Sequence, residues 1–174
     1  MARTWGIPGL LLMACIGGAE AQAPCPAFQR VRSADARMLA MLHEGCGRSA
    51  TVKRLISRLE LSDVTVYVEP GHCAFGHVDG CILPYMNRAG GTRYLRIAVN
   101  TSLSGLRLLA IIGHELQHAV EICEAPAVID VESMRALFRR IGAQDCGQTN
   151  ADCYETSQAQ AAGRNVSDEL KHKQ

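Results

Sequence analysis

The chain has 174 residues, 48% of them hydrophobic and 20% charged, a balance that supplies one core and leaves no room for a second domain of ordinary size. Lysine and arginine total 18 against 17 acidic residues, a formal net charge of +1, so no basic field exists to hold a nucleic-acid backbone. Nucleic acid is excluded as an expected partner, and the chain is expected to act as a monomer.

Residues 1–23 read as an export signal. Arg3 gives a positive start, Leu10-Leu11-Leu12-Met13 lies in a short apolar run, and Ala19, Ala21 and Ala23 offer small residues at A-x-A spacing for cleavage after Ala21 or Ala23. The run is far short of the ~20 residues that a bilayer-spanning helix needs, so no transmembrane segment is expected. A second route is open, because Leu12-Met13-Ala14-Cys15 resembles the bacterial lipobox. That route would leave a lipid anchor at Cys15 and a membrane-anchored lipoprotein, in place of a secreted or periplasmic protein.

The chain carries 8 cysteines, which behind an export signal point to an oxidising compartment and a disulfide-stapled fold. With Cys15 inside the signal, an odd set remains: Cys25, Cys46, Cys73, Cys81, Cys123, Cys146 and Cys153. Neighbours in sequence suggest Cys73–Cys81 across a hairpin, Cys146–Cys153 across a helix-helix loop and Cys25–Cys46, leaving Cys123 unpaired. No C-x-x-C pair occurs, which argues against a cysteine zinc site.

After Pro24 and Pro26, Ser33 is placed to cap a helix carrying Met38, Leu39 and Leu42 and ending at Gly45-Cys46-Gly47. Ser49 caps a second, with Val52, Leu55, Ile56 and Leu59 at helical spacing. Val64 to Val68 is β-branched and aromatic, a strand ended by Pro70-Gly71; Cys81 to Tyr85 and Tyr94 to Val99 read as two more, separated by turn-forming Asn87 to Thr92. A mostly antiparallel sheet of three or four strands is the expected result. Thr101 or Ser102 then caps a long helix that runs to about Cys123, where Pro126 forbids continuation. Asp130 caps another, with Val131, Met134, Leu137, Phe138 and Ile141 inward and Gly142 at its end; a last helix is expected from about Ala151 to Leu170.

The long helix contains Ile111-Ile112-Gly113-His114-Glu115-Leu116-Gln117-His118. Two histidines four apart project from one helical face and can reach a single Zn²⁺ at about 2.0–2.1 Å. Glu115 falls beside that point without being a ligand, where it could take a proton from a water and pass it to a leaving amine. Apolar residues before the pair, and Gly113 admitting a neighbouring backbone, set it in a buried context.

A catalytic zinc needs a third protein ligand. Ala119-Val120-Glu121-Ile122-Cys123 supplies no local histidine, and only His172 follows, so a carboxylate is expected. Glu121 sits a turn further along, which suits a place behind the ligands; Glu124 lies at the helix end. Glu132 shares a polar face with Arg135 and Arg139 and ranks second. Glu155 heads a stripe of Ala159, Ala162 and Val166 that should pack closely on another helix, which turns its carboxylate inward, where it needs a cation.

His114-Glu115-Leu116-Gln117-His118 followed by Tyr154-Glu155-Thr156-Ser157-Gln158-Ala159 resembles the gluzincin type of zinc peptidase, particularly its small, minigluzincin-like forms. The resemblance covers Tyr94 to about Val166. It implies an α+β zincin-like catalytic domain over residues 24–174, with further helices at both ends and one edge strand over the metal cleft. It also implies zinc held by His114, His118 and Glu155, Glu115 as the catalytic base, and a peptide or protein substrate. For the stabiliser of the transition state, Tyr154, His72, His77 and Arg164 are candidates. The rival reading is a disulfide-stapled binding or inhibitory module whose metal is structural, closed by Glu121, Glu132 or Cys123, or absent.

Overall fold

The computed structural model describes residues 24–73, 78–103, 105–144 and 154–172. The expected export signal with Cys15, the candidate His77 and the expected Cys146–Cys153 pairing lie outside them. In chain order the elements are β1 (Val31–Arg32), α1 (Ala36–Arg48), α2 (Ala50–Glu60), β2 (Val64–Pro70), β3 (Gly80–Ile82), β4 (Asn87–Ala89), β5 (Thr92–Val99), α3 (Gly105–Cys123), α4 (Val131–Ile141), β6 (Ala143–Gln144), β7 (Tyr154–Glu155) and α5 (Ser157–Lys171). The class is α+β, with helices before and after the sheet.

The sheet departs from expectation: it is mixed and five-stranded, in the order β1-β2-β5-β3 with β4 also on β5. β1 and β2 are parallel, as are β2 and β5, while β3 and β4 run antiparallel to β5. The reason lies in which strands can bear burial. Val64, Val66 and Val68 of β2 and Leu95, Ile97 and Val99 of β5 are fully buried, so these two take the centre. β4 is exposed throughout and β3 only half-buried, and together they form one edge, broken around Pro84. The chain therefore crosses from β2 over β5, descends the far edge, and returns through Gly90 and Gly91, both at positive φ, to enter the middle of the sheet.

Helix boundaries also differ. The first helix is capped by Asp35, whose carboxylate accepts the Met38 N–H at 2.9 Å, and not by Ser33. It continues through Gly45, because a Cβ there would lie 3.0 Å from Leu109 Cδ2 and 3.2 Å from Val52 Cγ1: the glycine serves close packing inside a helix. Ser49 caps α2 as expected, accepting the Val52 N–H at 3.1 Å. The third helix starts at Gly105 and not at Thr101 or Ser102, since Asn100 Oδ1 holds the Ser102 N–H in a tight turn at 3.0 Å. Asp130 caps α4 as expected, but Ile141 at its end is 43% exposed.

One hydrophobic cluster joins β2 and β5 to α1, α2, α3 and α5. Set into it is Arg93, 2% exposed, which no pattern in the sequence marks as buried. Its Nη1 donates to the carbonyls of Ile122, Ala125 and Val128, and its Nη2 to that of Cys123. Nε and Nη2 also grip Asp63 at 2.8 and 2.7 Å. The guanidinium thus bonds carbonyls at the end of α3 and in the loop that follows, and cross-braces that end to the sheet.

Disulfides Cys25–Cys46 and Cys73–Cys81 are present as expected; among the described residues Cys123 is the free cysteine. Bonds of this kind form and persist in oxidising compartments. No helix among the described residues is long and apolar enough to cross a membrane.

Candidate metal centre

Helical spacing stacks His114 and His118 on one side of α3, with ring centroids 5.0 Å apart. The third member arrives from β7 and not, as expected, from within the last helix. Thr156 accepts the Ala159 N–H at 3.1 Å and so starts α5 at Ser157. Glu155 stays extended, opposite Ala143 in a two-stranded ladder. The stripe that follows it, Ala159, Ala162 and Val166, is buried as anticipated. It presses on α3 at Gly113, where a Cβ would lie 2.7 Å from Val166 Cγ2.

That close approach carries Glu155 onto the two histidines. Its Oε2 lies 3.1 Å from His114 Nε2 and its Oε1 3.3 Å from His118 Nε2. One donor atom from each of the three lies within 4.8 Å of the others, a cluster that could hold a metal ion. Two imidazoles and a carboxylate suit a borderline cation such as zinc better than a hard one such as calcium. The runner-up carboxylates are elsewhere: Glu132 is exposed in the first turn of α4, and Glu124 pairs with Arg58 at 3.2 Å. Glu121 stands behind the donors, buried, with Oε2 2.8 Å from His118 Nδ1.

The electrostatics of the metal-free cluster follow from its crowding. Burial opposes a charge on His118, but hydrogen bonds to Glu121 and Glu155 outweigh it and push the imidazole up to about 10. Burial likewise opposes a charge on Glu155, and the hydrogen bonds from His114 and His118 overcome it, holding the carboxyl at about 2. Glu115 behaves oppositely: it is 4% exposed, and burial raises its pKa despite the nearby histidines. At neutral pH the metal-free site therefore keeps a proton on His118 that a metal must displace. If the cluster takes an ion such as zinc, calorimetry near pH ~7.5, repeated in buffers of different ionisation enthalpy, is expected to register net release of protons on binding. Affinity should rise with pH below the His118 value, and a pH-independent affinity would contradict this electrostatic picture.

Glu115 and His118 line the floor of a cleft of about 640 Å³. One wall is β3 with the residues around it, from Val78 to Tyr85; the other is Met134, Arg135 and Phe138 of α4 with Tyr154. Phe138 meets the His118 ring edge to face at 5.3 Å. The edge strand touches the floor at Gly80, where a Cβ would fall 2.6 Å from Ile111 Cγ2 and 2.9 Å from Glu115 Oε1. Only glycine lets the strand lie directly on Glu115. Of the proposed stabilisers, Tyr154 and His72 line the cleft and Arg164 does not; the Tyr154 hydroxyl accepts Arg139 Nε–H at 3.3 Å.

Sequence reasoning missed Gly80, Phe138 and Thr156. Thr156 alone left a readable trace, a capping residue three before Ala159. The other two depend on which strand takes the edge and how α4 docks. Compared with protein-family models, with curated proteins and with solved structures, the chain returns no match.

Proposed function

We propose that the chain is a zinc-dependent peptidase of the gluzincin type, exported to an oxidising compartment. The observation that carries the reading is Glu155, whose two oxygens lie 3.1 and 3.3 Å from the Nε2 atoms of the two motif histidines. His114, His118 and Glu155 would hold the ion, and two of the three, His118 and Glu155, line the cleft; three protein donors with a fourth position left open are the donor set of a catalytic site and not of a closed structural one. When bound, zinc supplies Lewis acidity, polarising a carbonyl and acidifying water.

The chain's own residues do the rest. Glu115 lies 4.0 Å from His114 Nε2 and can take a proton from a water at the cleft floor. Its raised pKa lets the carboxyl keep that proton until the amine leaves. β3 pairs with β5 on one side and lines the cleft on the other, so an extended peptide could add to it through backbone hydrogen bonds. Cys25–Cys46 and Cys73–Cys81 agree with the export signal and with a secreted, periplasmic or lipid-anchored protein.

Metal analysis of the mature protein tests this directly. About one zinc per chain is expected, and Glu155→Ala should release it by removing the carboxylate that lies 3.1 and 3.3 Å from the two histidines. Retention of a full zinc equivalent in Glu155→Ala would remove Glu155 from the ligand set.

A further inference from the structure

Thr156 is no metal donor, and as a residue it reads as a helix cap, yet it touches both carboxylates around the histidines. Its Oγ1 accepts the Ala159 N–H at 3.1 Å. The same hydroxyl donates its single proton to Glu121 Oε1 at 2.6 Å, and the Thr156 N–H donates to Glu155 Oε1 at 2.9 Å. The other oxygen of Glu121 lies 2.8 Å from His118 Nδ1. Thr156 is 3% exposed, Glu121 7% and His118 7%, so water cannot substitute freely for any of these partners.

The protons in such a chain are assigned by elimination. Ala159 N–H can only donate, so the hydroxyl must accept there and send its own proton to Glu121. Ionised Glu121 is acceptor-only, so Nδ1 of His118 carries the hydrogen on that side. In neutral His118 the lone pair is then on Nε2, the atom aimed at Glu155 and the centre of the cluster. Capping needs only an acceptor. The proton given to Glu121 plays no part in starting α5, and its effect is on the orientation of Glu121 and, through it, of His118.

We propose that Thr156 is a positioning residue of the metal centre, holding Glu155 by its N–H and His118 by its hydroxyl through Glu121. This rests on the reading of the cluster as a zinc site. It makes the start of α5 and the geometry of the donors one unit: the residue that begins the helix also sets two of the three donors.

The test measures zinc affinity by competition with a chromogenic chelator, alongside the melting temperature of the metal-free protein. Thr156→Ser, which keeps the hydroxyl, is expected to bind zinc close to the unaltered chain. Thr156→Val should weaken binding roughly 10–100-fold. Glu121→Gln, which leaves the Ala159 cap in place, should weaken it comparably, and adding Thr156→Val to Glu121→Gln should then cost far less than it does alone. A Thr156→Val protein that melts earlier but binds zinc as tightly as the unaltered chain overturns the proposal, since the hydroxyl would be a cap only. If Thr156→Val does not fold, Glu121→Gln decides: weakened binding upholds the linkage, unchanged affinity overturns it. Failure of the unaltered chain to bind zinc at all would instead strike the metal reading, and the proposal with it, before any variant is compared.

Discussion

Glu115→Gln is expected to leave the zinc content at about one per chain while lowering hydrolysis of a peptide library by roughly 10²–10⁴-fold, the usual contribution of a positioned acid-base group. Glutamine matches the shape of glutamate, so Gly80 can still lie against it and the donors, which do not include it, are undisturbed. What it loses is the ability to hold a proton. Burial that raises the pKa of Glu115 is what makes proton storage useful here, because a carboxyl with an ordinary value would give its proton back to solvent at neutral pH. Mass spectrometry of the digest reads turnover, and elemental analysis reads the metal. Unchanged hydrolysis beside a full zinc equivalent would eliminate Glu115 as the base.

The second large effect concerns the frame and not the site. Arg93→Met keeps the stem of the side chain but takes a donor from the carbonyls of Ile122, Cys123, Ala125 and Val128, of which Ile122 and Ala125 keep a backbone N–H, and leaves Asp63 without its guanidinium. Leaving buried acceptors without their donor costs about 1–3 kcal/mol apiece, so the loss should reach about 2–5 kcal/mol, which for a chain of this size is roughly 5–20 °C in melting temperature. Asp63→Asn should cost less, since the Asp63 side chain is 48% exposed. Its effect also carries a pH signature. The Arg93 guanidinium, hydrogen-bonded to Asp63, holds the carboxyl below its ordinary value of 3.8 despite partial burial. A depressed folded-state pKa contributes stability above the ordinary value and loses it as pH falls through the depressed one. The stability gap between the unaltered protein and Asp63→Asn should therefore be constant near neutrality and close in acid, below about pH 4. A gap that persists unchanged at pH 2–3 would refute the assignment.

What could be read in the sequence was what spacing alone decides. His114 and His118 had to share a helical face, Glu121 had to sit past them, and the stripe Ala159, Ala162 and Val166 had to pack. Those three facts favoured Glu155 over Glu132; Glu155 does meet the two histidines, though from β7 and not from the helix that carries the stripe, while Glu132 is exposed on α4. Two of the disulfides were legible because their partners were close along the chain. What escaped was whatever depends on the order of strands. Alternation within a strand cannot say which neighbour it takes, so a mostly antiparallel sheet was expected where β5 in fact lies parallel beside β2. Arg93 escaped for a related reason. An arginine in a strand ordinarily faces water, and nothing local announces that four carbonyls, two from the end of α3 and two from the loop after it, will surround it.

The insertion of β5 between β2 and the β3/β4 edge also has a kinetic side. The β4–β5 hairpin closes through two glycines and is a local event on the order of microseconds. The β2–β5 pairing must wait for the intervening crossover to be laid down, and the docking of α5 on α3 joins segments still further apart. Gly80 on the floor of the cleft, the histidines on α3 and Glu155 ahead of α5 are thus brought together by contacts between segments well separated along the chain. A nascent or partly folded chain lacking any one of those dockings holds an incomplete donor set, so the cluster exists only in the finished fold.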